Sequence, residues 1–417
     1  MKKIILFSSI VLLSLSLLSQ QSFIEQALVI NVEVPVRVFK GDKFMDGLTI
    51  KDFEVFEEGI PQKIEAVYLV KKRSIERSEE RKRFSPQTSR TYFLIFEISE
   101  YTPRLGDALE FFVNNVLLPG DNLFIGTPMK TFRLKDNGLE IKSREEIADE
   151  IKRLLRKDAA IGNSEYRSVI DDITGLVRSL TAAIKSGSLD PLDNAEASIE
   201  NLGDFDSMNL GGVSIDEQLM LYESLLQKLE ILREVDQLKL LDFAKFLKYR
   251  EGQKYVFLFY QREFIPQVDS KILDDYMSQF EYRPDILQTT LHLFNFYRRD
   301  NFIDTPRIKK AYADSSTAIH FLFIARSPKM ISGVHMEEHS EDIYSSFKEM
   351  AKASGGFVDS STNPVPLFKK ALEASENYYL LYYSPKNYEA DGNFKEIKVR
   401  IKSKGHRVIH RAGYFAN

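Results

Sequence analysis

Hydrophobic and polar positions alternate at both ends of this chain and run together in its middle. From Leu28 to Phe39 the apolar positions are Ile30, Val32, Val34, Val36 and Val38, with Asn31, Glu33 and Arg37 between them. That period of two marks a strand buried on one face, where Pro35 fits only at an edge or bulge. Leu48–Glu57 and Gln62–Val70 continue the pattern after turns at Lys40-Gly41-Asp42 and Glu58-Gly59. Three short antiparallel strands are predicted, too few to be stable without another surface to cover them. Near the other end, Tyr378–Tyr383, Phe394–Ile401 and Arg407–His410 read as strands. Only turns separate them, so they are antiparallel and are expected to complete the sheet begun at the N-terminus.

The middle of the chain has a different signature. Thr91–Glu100, TYFLIFEISE, is a short apolar run that ends abruptly in polar residues, and Lys254–Tyr260 and Thr317–Ala325 resemble it. Such runs predict strands buried on both faces. Helical periodicity follows at Leu105–Leu117, Asp269–Phe280, Pro284–Arg298, Glu341–Ala353 and Pro364–Ala374, while Leu123–Thr127 and Lys130–Leu134 suggest a hairpin. Between about 141 and 250 lies a helical insertion. It opens on the capping box Ser143/Glu146, is interrupted by a loop over Ser186–Gly212, and resumes over Ile215–Tyr249. Strands separated by helices imply a Rossmann-like α/β core with a mainly parallel sheet. The expected fold class is that core with its insertion, plus a small antiparallel β-sandwich-like domain from the two terminal segments.

Composition adds limits. A hydrophobic fraction of 43% in 417 residues suffices for a sizeable core, and 57 basic against 61 acidic residues gives a net charge of −4, with no basic field to attract nucleic acid. The absence of cysteine excludes disulfides, thiolate metal sites and a cysteine nucleophile. Lys2 and Lys3 precede an apolar run, Ile4–Leu18, shorter than the roughly 20 residues of a spanning helix. It reads as a secretory signal peptide over 1–22, which places the mature protein in a periplasm or outside the cell, with no membrane span after cleavage. The remaining expected boundaries are an N-terminal β segment over 23–70, a charged linker over 71–90, the α/β unit over 91–377 and a C-terminal β segment over 378–417.

In open α/β sheets ligands meet the carboxyl ends of the strands, which makes Glu97, Ser99 and Tyr101 the default functional position. Three segments also carry a resemblance. They are Gly47-Leu48-Thr49 with Asp52–Gly59 and Pro61-Gln62, then Lys348–Gly356, then Tyr379–Tyr414 with Tyr382-Tyr383-Ser384-Pro385 and Arg411-Ala412-Gly413-Tyr414. Together they resemble the von Willebrand factor type A-related secreted proteins of Acidobacteria and neighbouring phyla. The resemblance implies a type A domain over 91–377. Such domains often hold a divalent cation through Asp-x-Ser-x-Ser, a distant Thr and a distant Asp. The matching positions are Glu97, Ser99 and Tyr101, then Val213 or Ser214, then Gln261. Only Ser99 is kept, and octahedral Mg²⁺ does not tolerate such changes in ligand size and charge. The implied site is therefore degenerate, with no metal, no cofactor and no catalytic residue, and the implied role is non-enzymatic adhesion or binding to a protein partner.

Two alternatives use other chemistry. One is a metal-dependent adhesion module with an unorthodox Glu97/Ser99 site. The other is a zinc hydrolase built on His335-Met336-Glu337-Glu338-His339, which fits H-x-x-E-H with His335, Glu338 and His339 in the active roles. That motif needs a helix, whereas its surroundings read as a loop. His320, inside an apolar strand, reads as a hydrogen-bonded core residue. Phe294, Phe296, Tyr297 and Phe302, interleaved with Arg298 and Arg299, read as a helix packed on the sheet.

Overall fold

A computed structural model describes residues 30–134, 138–186, 215–279 and 303–417. The signal segment 1–22, nearly all of the expected loop over 186–212, the Val213 and Ser214 positions and the aromatic helix over 284–298 lie outside the described residues.

Six strands open the described chain: β1 (Val32–Lys40), β2 (Lys43–Phe44), β3 (Phe53–Glu57), β4 (Ile60–Gln62), β5 (Ile64–Lys71) and β6 (Ser74–Glu80). Then come β7 (Arg90–Glu97), α1 (Pro103–Asn115), β8 (Asn122–Gly126) and β9 (Thr131–Arg133). A helical stretch follows, with α2 (Gly138–Ile141), α3 (Arg144–Gly162), α4 (Ser164–Ser186), α5 (Ile215–Arg233) and α6 (Gln237–Lys248). The chain continues through β10 (Gln253–Gln261), β11 (Phe264–Gln267), α7 (Ser270–Gln279), α8 (Thr305–Asp314), β12 (Ala318–Ile324) and β13 (His335–Glu338). It closes with α9 (Glu341–Ala353), β14 (Val358–Ser361), α10 (Pro364–Glu376), β15 (Asn377–Tyr383), β16 (Phe394–Ile401), β17 (Arg407–His410) and β18 (Gly413–Phe415).

These strands form four sheets. Three are wholly antiparallel: β17-β1-β15-β5-β6 with β2 against β1, β18-β16-β3-β4, and the pair β11-β13. The fourth, β14-β12-β10-β7-β8-β9, is mixed, parallel as far as β8 and antiparallel at β9. The expectation of a Rossmann-like, mainly parallel fold is thereby overturned. Parallel pairing is confined to one mixed sheet of a mixed α/β chain whose sheets are mostly antiparallel. The reason lies in the connections. Gly41 and Gly59 take positive φ and return the chain within a few residues, and each tight return lays down an antiparallel neighbour, β2 on β1 and β4 on β3.

The charged stretch over 71–90 is likewise no mere linker. Lys72, at a φ of 55°, turns β5 into β6, and β6 pairs with β5 from Ala66↔Glu80 to Lys71↔Ser74. β6 lies at the edge of its sheet with most of its residues exposed, and an edge strand tolerates the charges that disguise it as a linker.

Two antiparallel sheets enclose one core. Val34, Val36 and Val38 of β1 and Tyr379, Leu381 and Tyr383 of β15 share it with Phe53 and Val55 of β3 and Ile397 and Val399 of β16. The buried Glu57 carboxylate accepts from the hydroxyls of Tyr383 and Tyr414 at 2.6 and 3.0 Å, so this acid has its partners. Helices cover the mixed sheet on both faces. α1, α3 and α10 pack on one, with Phe112, Ile151 and Phe368, and α6, α8 and α9 on the other, with Leu247, Tyr312 and Phe347. α4 and α5 form a separate apolar cluster with Ile265 and Val268.

One buried ion pair secures the base of the mixed sheet. Arg90, at the start of β7, donates from Nε to Asp121 Oδ1 at 3.0 Å and from Nη2 to the Val116 carbonyl at 3.1 Å, with both pair members almost fully enclosed. Removing one member leaves the other charged and unpaired in low dielectric. Asp121→Asn is expected to destabilise the fold by about 3–5 kcal/mol, read as a lower denaturation midpoint in urea at unchanged slope.

Candidate functional site

The carboxyl ends of β7 and β10 lie side by side. The two strands are parallel and in register from Gln253↔Arg90 to Tyr260↔Glu97, so Gln261 emerges beside the turn Ile98-Ser99-Glu100. Both strands are buried along nearly their whole length, which fixes this geometry. Gln261 is only 3% exposed. Its Oε1 accepts from the Ser99 amide at 3.1 Å, the Ser99 hydroxyl at 3.0 Å and the Glu100 amide at 3.0 Å, and its Nε2 donates to the Glu100 carbonyl at 3.3 Å. A neutral amide thus takes the donors that the turn presents, and the Ser99 hydroxyl is committed as one of them.

The other positions go elsewhere. Water reaches the Glu97 side chain, while desolvation by the protein around it and then the nearby Glu263 carboxylate raise its pKa. Tyr101 lies across Gly106 of α1, where even a methyl group would sit 2.4 Å from its hydroxyl, and the Arg156 guanidinium stands 5.5 Å from its ring centroid. The structure therefore brings Ser99 and Gln261 together, leaves Glu97 at the solvent edge and uses Tyr101 to dock α3 against α1.

Charged groups surround this rim. Arg326 lies 3.6 Å from Glu100 and donates to the Arg262 carbonyl at 2.7 Å, while Arg262 reaches Glu338 at 3.0 Å. Behind them the enclosed Arg233 joins Glu263 at 2.8 Å and Asp342 at 3.4 Å. Asn163, at the end of α3, donates to the Ile98 carbonyl at 2.9 Å and braces the turn from the helical stretch. Sequence reasoning missed Asn163 and the bridging role of Gln261. The available signal was an amide at the end of a fully buried strand, because a buried amide needs partners close by.

The zinc constellation does not assemble. His335–Glu338 form β13, which pairs with β11 through Gln267↔His335 and Phe264↔Glu338. At about 3.3 Å per residue, His335 and His339 stand roughly 13 Å apart along an extended chain, whereas a helix would bring them one turn apart. His335 instead approaches Glu337 at 2.9 Å, and Glu338 pairs with Arg262. Among the described residues no group of three or more His, Cys, Asp or Glu is placed to hold a metal ion. His320 is a core residue. Its Nδ1 accepts from the Phe357 amide at 3.2 Å, its ring stacks on Phe257, and burial holds its pKa well below the usual imidazole value, so it is neutral. Among the described residues no helix is long and apolar enough to cross a membrane.

No family model matches the chain, and no curated protein matches it. Among solved structures, the human COPII-coat protein Sec24c is similar at 8% identity and a TM-score of 0.27, over 80% of this chain and 44% of that one. The chain thus spans less than half the length of that protein.

Two outcomes follow from the rim. Gln261→Ala removes the shared acceptor of the part-buried Ser99 and Glu100 amides and is expected to lower stability by about 0.5–1.5 kcal/mol in chemical denaturation. Glu97 supplies a pH dependence of definite sign. Its folded pKa lies above the ordinary 4.5, so the folded chain binds more protons just above that pH. Its contribution is fully present below pH 4.5 and is lost as pH rises through the raised value. Glu97→Gln should flatten this fall in thermal scans taken upward from pH 4.5.

Proposed function

We propose that this protein is a secreted, non-enzymatic interaction module that binds a protein partner at the carboxyl rim of its mixed sheet without a cation. The Gln261 amide supports the cation-free part of this reading, because it sets a neutral side chain where the resemblance implies a carboxylate and holds the Ser99 hydroxyl in a hydrogen bond. Exposed Glu97 and the Glu100–Arg326 pair offer a partner charged groups of both signs, the kind that steer association and confer specificity. The resemblance of the Asp52–Gly59, Lys348–Gly356 and Tyr379–Tyr414 motifs to the von Willebrand factor type A-related secreted proteins supports an adhesive role. The apolar segment Ile4–Leu18 after two lysines supports export.

Calorimetric titration of metal-stripped protein with Mn²⁺ is expected to show no saturable micromolar site. Capture of partners from the native envelope fraction should be the same in EDTA as in Mg²⁺, and should be weakened by Arg326→Glu. A saturable Mn²⁺ site abolished by Glu97→Ala, or capture lost in EDTA, would contradict the reading.

A further inference from the structure

A cavity of about 20 Å³ lies where β1 and the β17–β18 connection meet the amino-terminal ends of β10 and β12. Its wall includes Arg37 of β1, Lys254 and Tyr255 of β10, Ser316 and Thr317 just ahead of β12, and Arg411 after β17. All three basic side chains are more than nine-tenths buried: Arg37 is 5% exposed, and Lys254 and Arg411 are each 8% exposed.

Their acceptors are neutral carbonyls. Arg37 Nη1 donates to Gly355 at 3.0 Å and Arg411 Nη2 to Glu33 at 2.7 Å, while Lys254 Nζ donates to Leu247, Arg250 and Ser315 at 2.8, 2.9 and 3.1 Å. Among the described residues none of the three reaches a carboxylate at ion-pair distance. The acids nearest Arg411 are otherwise engaged: the Glu33 carboxylate accepts from the Tyr382 hydroxyl, and Asp314 pairs with Lys248. Nε of Arg37 and Nε of Arg411 have no hydrogen-bond acceptor, and Oγ of Ser316 has no partner. Ser316 is held there at a φ of 51°, a left-handed conformation that serine seldom adopts.

Carbonyl groups satisfy N–H donors but cancel no charge, and uncompensated charge in the interior is strongly unfavourable. We propose that this cavity binds one small monovalent anion, chloride first among them, with Arg37, Arg411 and Ser316 as its donors and Lys254 as added positive charge. The volume suits a single water-sized particle and excludes phosphate, sulfate and organic carboxylates. Burial lowers the pKa of all three basic groups, that of Lys254 to about 8, while a guanidinium keeps its proton in proteins, so the arginines here lack counter-charge. A bound halide would link the terminal strands to the base of the mixed sheet and stabilise the joint between them.

The test is thermal unfolding of the full chain at constant ionic strength, with sodium chloride replacing sodium gluconate, whose anion is too large for the cavity. Once chloride exceeds its Kd, Tm should rise by about 2 °C per tenfold increase in concentration, and bromide should act likewise. Arg37→Gln and Arg411→Gln should each abolish the dependence. A Tm indifferent to halide, or a rise that survives both substitutions, overturns the proposal. Should the variants fail to fold, crystals of the native chain grown in bromide decide it. An anomalous peak between Arg37 and Arg411 supports the site, and a cavity without one rules it out.

Discussion

The structure depends on the burial of β15 between β1 and β5. This strand follows α10 directly, pairs on one side from Val32↔Tyr383 to Val36↔Tyr379, and pairs on the other from Lys71↔Asn377 onward. One of its faces gives Tyr379, Leu381 and Tyr383 to the core shared by two antiparallel sheets. The other gives Tyr378, Leu380 and Tyr382 to a second cluster with Ala66, Tyr68 and Val70. No residue of β15 from Tyr378 onward can therefore turn polar without opening one core or the other. Both its neighbours come from the far end of the chain, and Tyr383 reaches Glu57 across 326 positions. Closing so long a loop carries an entropic penalty that local contacts cannot offset, and the apolar area of β15 has to supply that driving force.

The same logic of enclosure shapes the rim. Two parallel strands buried on both faces must end somewhere, and their last residues present backbone donors at the sheet edge. Here the Ser99 and Glu100 amides and the Ser99 hydroxyl all meet one amide oxygen. An amide oxygen brings acceptor capacity without charge, so the donors of the turn are satisfied within the protein. What remains at the surface is Glu97 and a set of ion pairs, a face whose character is electrostatic.

Much of this was legible in the residues alone, for a stated reason in each case. Runs such as Tyr92–Phe96, Tyr255–Tyr260 and Ile319–Ile324 announce strands with no solvent face, because only burial on both sides permits unbroken hydrophobicity. Alternation at Val32–Val38 and Phe394–Ile401 announces strands with one. The misreadings share an opposite cause. β6 and β13 lie largely in water, so nothing apolar marks them, and they read as a linker and a loop instead. The inference from intervening helices to parallel neighbours holds within the mixed sheet and does not extend to the strands joined by tight glycine turns.

By itself the sequence determined the strands and helices that have a buried face, because periodicity is a property of neighbours along the chain. It also shows that Glu97, Ser99 and Tyr101 do not spell Asp-x-Ser-x-Ser. Only the tertiary structure decided what stands in that place, since Gln261 and Ser99 are 162 positions apart and meet only when β10 lies beside β7. It alone brought Arg37, Lys254 and Arg411 around one cavity, because three cations from distant segments share a wall only after both ends of the chain have been sewn into a single sheet.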